Sequence, residues 1–234
     1  MISNSEIKWL RSLRDRKTRD AEGVFVVEGD KMVAEALSSG LEVLGVWRRE
    51  DCGDKAMERI SSLSTPAPSL AVVKRKTLHV PAPGGLCLAL DSVRDPGNLG
   101  TILRIADWFG IDAVYASPDS VDVYNPKVVQ ASMGAIFRKD VYYTDIPSLC
   151  RTFSAAGISV YGTFLDGEPL YGASLPPEAL IVMGNEANGI SGEVAALVKK
   201  RITIPSFAKG PTAESLNVAV ATAVTVSEFK RRGV

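Results

Sequence analysis

The chain has 234 residues, 46% of them apolar and 23% charged, and its 27 Lys+Arg balance 27 Asp+Glu to a formal net charge of zero. This composition excludes a disordered tail, a collagen-like rod and a disulfide scaffold; it suits one large domain, or a medium domain with a small companion. A neutral total also argues against a simple polycationic nucleic-acid binder, which shows a basic excess.

Cys52, Cys87 and Cys150 lie far apart with no CxxC pair. Neither a zinc site nor a disulfide framework is expected, and a reducing, cytoplasmic setting fits. The opening MISNSEIKWLRSLRDRK has no apolar signal-peptide core, and no apolar run reaches membrane-spanning length.

Residues 1–83 read as a small α/β domain. Ile7, Leu10 and Leu13 recur at helical spacing and predict a helix over Ser5–Arg16. Val24–Glu28 is a short β-rich run. Lys31–Ser38 reads as a helix closed by Gly40, followed by a strand at Val43–Arg48, a helix at Asp54–Leu63 and a strand at Leu70–Val73. Pro81, Pro83, Gly84 and Gly85 form a breaker cluster that places a domain boundary there. Charge is uneven: residues 1–83 hold 14 basic and 12 acidic side chains, residues 84–234 hold 13 and 15. Six basic residues (Lys8, Arg11, Arg14, Arg16, Lys17 and Arg19) crowd the first 19 positions against Glu6 and Asp15.

Residues 84–234 alternate between strands and helices. Strands are predicted at Leu86–Leu90, Ala113–Ala116, Ser159–Thr163, Leu180–Met183 and Arg201–Ile204. Helices are predicted at Asn98–Phe109, Pro126–Met133, Ile146–Ala156, Ser191–Lys199 and Glu214–Lys230, the last buried nearly all round. Continuously apolar strands separated by helices predict a buried parallel sheet, which binds ligands where loops leave the strand C-termini.

Three such loops carry chemistry. Asp91–Gly100, DSVRDPGNLG, runs into a helix with Asn98 as candidate N-cap, a geometry that aims backbone N–H groups at an anion. Gly184–Ser191, GNEANGIS, combines two glycines with Glu186. Ile204–Asn217, IPSFAKGPTAESLN, places Ser215 and Asn217 before an apolar helix whose cap is sought at Thr212 or Glu214. Neither GxGxxG nor GxxxxGK[ST] occurs, which removes the dinucleotide and P-loop readings.

These loops, quoted as LDSVRDPGNLGTILRIADWFGI, IVMGNEANGIS and ITIPSFAKGPTAESLNVAVATAVTVSEF, resemble the three ordered motifs of the SPOUT superfamily. Within it they resemble the SpoU (TrmH-type) RNA ribose 2′-O-methyltransferases. NPKVVQASMGAIF between them is also similar, so the resemblance spans residues 86–230. Leu10–Leu37 resembles the small ribosomal-protein-like RNA-binding domain that precedes the catalytic domain in many members. The resemblance implies residues 1–83 as an RNA substrate domain and residues 84–234 as a catalytic domain with a deep trefoil knot. It further implies S-adenosylmethionine as methyl donor, no metal, and a homodimer.

Residue by residue, it implies Arg104 as the catalytic arginine, with Asn98, Glu186, Ser215 and Asn217 completing the catalytic set. Thr163, Gly184, Asn185, Ile204 and Leu216 fall on the cofactor side, and Arg14, Arg16, Lys17 and Arg19 would grip RNA phosphates. Three features depart from the family pattern: a longer segment between Pro205 and Ser215, Gln130 where Arg is frequent, and Ser92 where Gln is common. The expected substrate is ribosomal RNA, with transfer RNA open. Rival readings are a non-catalytic RNA-binding or ribosome-assembly protein of the same fold and a methyltransferase acting on a base nitrogen. His79, the sole histidine, falls outside every motif and reads as structural, and Trp9, Trp47 and Trp108 read as core.

Overall fold

A computed structural model describes residues 2–232. The expected first helix is two. α1 (Asn4–Ser12) starts in a capping box between Ser3 and Glu6 and buries Ile7 and Leu10. Asp15 then accepts the Lys17 N–H and opens α2 (Arg16–Glu22), which stops at Gly23 in a left-handed conformation. A short acidic side chain that captures a nearby backbone N–H breaks one helix and starts the next. β1 (Val24–Glu28), α3 (Asp30–Ser38), β2 (Val43–Arg48), α4 (Arg49–Cys52), α5 (Asp54–Ile60) and β3 (Ser69–Lys74) complete this unit. Its three strands form an antiparallel sheet in the order β1-β3-β2.

The second unit runs β4 (Leu86–Leu90), α6 (Pro96–Trp108), β5 (Ala113–Ala116), α7 (Pro126–Ser132), a 3₁₀ turn (Ala135–Phe137) and β6 (Val141–Tyr143). It continues with α8 (Ile146–Ala155), β7 (Val160–Pro169), β8 (Ala179–Met183), α9 (Gly192–Ala195), β9 (Lys200–Thr203) and α10 (Val218–Arg232). Six strands pair in the order β6-β5-β4-β8-β7-β9, every pairing parallel. β6 is a strand the sequence pattern did not announce, because three residues carry no period. The helix expected over Ser191–Lys199 contracts to α9, and the last helix begins at Val218 rather than Glu214.

Strand β4 shows how the layers form. Leu86, Leu88 and Leu90 face a core shared with α6, α7 and α10, while Cys87 and Ala89 face a second core shared with α8 and the α9 region. Alternate residues of a strand point to opposite faces, so five consecutive apolar residues serve a sheet covered on both sides. Burying each of these leucines contributes about 1.5–3 kcal/mol.

The two units share the larger core. Phe25, Val27, Met32, Ala36 and Val73 of the first unit belong to it. The Phe25 ring lies 4.9 Å from Tyr124 and 6.3 Å from Phe137. The Arg75 guanidinium sits 4.3 Å from the Tyr124 ring centre. Ion pairs Arg19–Asp122, Lys76–Asp140 and Arg138–Glu35 bridge the units at 2.7, 3.1 and 3.1 Å.

Two expectations are corrected. Trp108 is not core: it ends α6 with 85% of its surface exposed. Trp9 and Trp47 do pack partly buried against the first unit's core, 6.0 Å apart. Helix α10 is buried on one face only, through residues such as Ala219, Thr222, Val226 and Phe229, while Val220 is half exposed.

Candidate active site

The strands of a parallel sheet all end at one edge, and the three loops singled out above leave β4, β8 and β9 there. Asp95 caps α6 by accepting the Asn98 N–H at 2.8 Å, and Pro96 supplies the first helical residue. Asn98 is therefore not the cap. It lies inside the first turn, where its amide is free to work outside the helix.

The loop after β8 closes on itself. Asn185 and Gly189 exchange backbone hydrogen bonds at 2.9 and 3.0 Å, and Asn185 Oδ1 accepts the N–H groups of Ala187 and Asn188. A Cβ on Gly184 would come within 2.2 Å of the Gly189 carbonyl carbon, so only glycine admits this closure. Asn185 Nδ2 also donates to the Ser92 carbonyl at 2.7 Å, and buried Asp91 accepts the Ser191 N–H at 2.7 Å. Two loops far apart in sequence are thereby fixed to each other.

The third loop joins through Asn217. Its Oδ1 accepts the Ala219 and Val220 N–H groups, making Asn217 the N-cap of α10 in place of Thr212 or Glu214. Its Nδ2 donates to Asn98 Oδ1 at 2.8 Å, and Asn98 Nδ2 donates to Glu186 Oε1 at 3.0 Å. Glu186 also accepts the Asp95 and Arg94 N–H groups at 3.1 and 3.4 Å. One polar chain, Asn217–Asn98–Glu186, thus ties all three loops. Partial burial pushes the Glu186 carboxyl up, but the hydrogen bonds from Asn98 and the backbone outweigh it and hold it below the ordinary value. Glu186 is an anion at neutral pH and a weak proton acceptor.

Arg104 stands apart from this chain. It lies six residues beyond Asn98 on α6, about 9 Å along the axis and about 120° around it. It is exposed and has no hydrogen-bond or ion-pair partner among the described residues. Ser215 and Leu216 are exposed on the third loop, and Ile204 is half-buried at its root. Thr163, at the bend of β7, points its hydroxyl toward the Val182 carbonyl at 3.5 Å.

The basic set divides. Arg19 is corrected outright: its side chain is 2% exposed and its Nη2 pairs with Asp122 at 2.7 Å. Nη1 donates to the Leu13 and Arg14 carbonyls at 3.0 and 2.7 Å, so the guanidinium faces inward and reaches no phosphate. Arg14, Arg16 and Lys17 are exposed, with Arg16 in a 3.5 Å pair with Asp20.

Asp119, which sequence reading passed over, gathers a polar cluster around Ser92 beside the first loop. Ser92 adopts φ +62°, a left-handed conformation uncommon outside glycine. Its N–H donates to Ser117 Oγ at 2.8 Å and its hydroxyl to Asp119 at 2.5 Å. Asp119 also takes Ser117 Oγ at 2.6 Å and Arg94 Nη2 at 3.1 Å. Hydrogen bonds from Ser117, Ser92 and Arg94 draw its carboxyl down to about 2. Asp95 was legible in principle, because an acidic residue before Pro at a helix start is a capping signal. The Asp119 contacts were not, since they bridge 25 and 27 positions.

A fit to S-adenosylmethionine can be tested on the third loop. From Ile204 to Leu216 the backbone makes one intramolecular hydrogen bond among the described residues, Ala208 N–H to Ser206 Oγ. Residues 206–217 are exposed, so the remaining backbone donors and acceptors of this loop are open to a ligand at the strand edge that it leaves. Such unpaired backbone suits a purine and ribose, which are recognised through hydrogen-bonding edges. No group of three or more His, Cys, Asp or Glu among the described residues could hold a metal ion.

Comparisons with known proteins follow this geometry. Residues 85–227 match the SpoU rRNA Methylase family and residues 4–51 the MRM3-like substrate binding domain. The 23S rRNA guanosine 2′-O-methyltransferase RlmP of Bacillus subtilis is 30% identical, over 97% of this chain and 96% of its own. A TrmH-family RNA methyltransferase structure from Porphyromonas gingivalis is 44% identical with a TM-score of 0.90, covering all of both chains. An AdoMet-bound rRNA methyltransferase structure from Sinorhizobium meliloti is 27% identical with a TM-score of 0.87, covering 100% of this chain and 97% of that one.

Proposed function

The chain belongs to the SpoU rRNA methylase family, and from that membership we propose that it transfers the methyl group of S-adenosylmethionine to a ribose 2′-hydroxyl of ribosomal RNA. The observation that carries this reading is the Asn217–Asn98–Glu186 chain, which joins three separate motifs at one sheet edge. Ribosomal RNA is favoured over transfer RNA because the RlmP relative, which aligns along almost its whole length, is an rRNA enzyme by name.

S-adenosylmethionine supplies an activated methyl group. The chain's own residues hold the acceptor and manage its charge. The backbones of Gly184, Asn185, Ile204 and Leu216, with Thr163, form the cofactor side. Arg104 hydrogen-bonds the ribose hydroxyl. With its planar fork of cationic donors, Arg104 stabilises negative charge developing on O2′ as the hydroxyl proton leaves to solvent. Glu186, held below the usual carboxylate range, is a strut rather than the base. Asn98, Asn217 and Ser215 orient the ribose side. Alignment of donor and acceptor supplies up to about 7–11 kcal/mol in favourable cases.

Residues 1–83 serve as the RNA substrate domain and residues 84–234 as the knotted catalytic domain. Arg14, Arg16 and Lys17 contact phosphates, without Arg19. The protein is a cytoplasmic homodimer in this reading. Support comes from the adjacent helices α6 and α10, which leave Trp108 and Val220 exposed, and from Arg104 on α6, which has no partner among the described residues. Incubation with tritiated S-adenosylmethionine and unmodified ribosomal or transfer RNA tests the proposal. Label in ribosomal RNA is expected; label in transfer RNA alone would redirect the substrate, and label in neither would refute the activity.

A further inference from the structure

Outside the active site, one open groove of about 550 Å³ is lined by Asn4, Lys8, Arg11, Ser12, Arg14 and Arg59. Four of the six are cationic and none is acidic. α1 turns Ile7 and Leu10 into the core, which leaves Asn4, Lys8 and Arg11 on its outward face at i, i+4 and i+7. Arg59 comes from α5, which packs beside α1. Arg14 is pinned across the groove by donating Nη2 to the Arg59 and Ser61 carbonyls. The side chains of Lys8, Arg11 and Arg59 make no hydrogen bond or ion pair among the described residues, although the chain carries 27 acidic residues.

We propose that this α1–α5 groove binds the phosphodiester backbone of RNA, with Lys8, Arg11 and Arg59 as its phosphate contacts. The proposal rests on the reading of the chain as an RNA methyltransferase and adds a site to it. A concave surface of one charge sign focuses its field and raises the local concentration of a polyanion. The groove has no large apolar side chain in its lining, whereas a protein interface is built around an apolar core; an acidic protein partner is therefore the weaker match.

The test titrates a fluorescein-labelled RNA duplex with wild-type protein and with the Lys8→Ala/Arg11→Ala/Arg59→Ala variant over a range of salt. Each phosphate contact contributes about 0.9 to the slope of log affinity against log salt. The variant's slope is expected to be shallower by about 2.7. Between about 50 and 200 mM salt the wild type then loses about fortyfold more affinity than the variant. The single changes Lys8→Gln and Arg59→Gln should each lower the slope by about one. An unchanged slope in a variant that keeps its unfolding midpoint overturns the proposal. Polyglutamate that displaces the duplex as well as unlabelled RNA does also overturns it, in favour of an acidic protein. Methyl transfer scored in parallel separates the two readings: a slope difference without turnover leaves the groove standing and removes the catalytic proposal, while turnover with an unchanged slope removes only the groove.

Discussion

The two units of this chain use polar residues in opposite ways. The first unit carries a net charge of +2, displays cations at its surface and leaves Lys8, Arg11 and Arg59 without a side-chain partner among the described residues. The second carries −2, and its functional edge is built from amides and one carboxylate bonded to each other. Exposed cations attract a polyanion at long range and tolerate imprecise geometry. Reaction chemistry needs fixed positions, which short hydrogen bonds across three loops supply. A neutral total thus conceals a division of labour between attraction and alignment.

That division is broken most sharply by altering Arg104, the exposed cation of α6. Arg104→Ala should lower kcat by about 100- to 1,000-fold, the range seen when one charge-stabilising donor is lost, while S-adenosylmethionine affinity by calorimetry stays unchanged. Arg104→Lys should not restore turnover, because a point charge does not reproduce the guanidinium fork. Full turnover in either variant would remove Arg104 from the chemistry.

Arg19 sharpens the boundary between the units. Arg19→Ala leaves Asp122 buried without its partner, and such losses cost about 3–5 kcal/mol. Denaturant unfolding should show that loss while the salt slope of RNA binding is retained. The reverse pattern would return Arg19 to the RNA site.

Trp108→Glu tests the proposed homodimer. It should shift the protein from dimer to monomer in sedimentation and reduce turnover with it. A wild-type protein that sediments as a monomer would contradict the dimer.

The smallest expected effect is in acid. Asp119 has its carboxyl drawn down to about 2, so its stabilising contribution is complete above its ordinary value near 4. The contribution is lost as pH falls toward 2. Asp119→Asn should flatten the stability profile between those values and change little at neutral pH. An unaltered acid limb would show that the Ser92–Asp119–Arg94 cluster does not form.

Much of this arrangement was legible in the sequence where local pattern and tertiary role coincide. Leu86–Leu90 is apolar throughout because both sheet faces are covered, and Asn98, Glu186 and Asn217 fall in three motifs that the family resemblance groups into one set. The misreadings share one cause. Charge at Arg19 is visible in the sequence, but its partner Asp122 lies 103 positions away. Trp108 has an apolar ring typical of a core, yet it sits at the solvent end of α6. Burial and pairing over long separations decide such residues, and periodicity does not report either.

In the proposed reaction, placing a methyl group on a ribose oxygen depends on Arg104. Ribosomal RNA treated with wild-type or Arg104→Ala protein and S-adenosylmethionine, digested and read by mass spectrometry, tests it directly. The account predicts one additional methyl on a ribose in the wild-type sample, with the adjoining phosphodiester resistant to alkali, and none with the variant. A methyl on the base, or equal methylation by the variant, would contradict it.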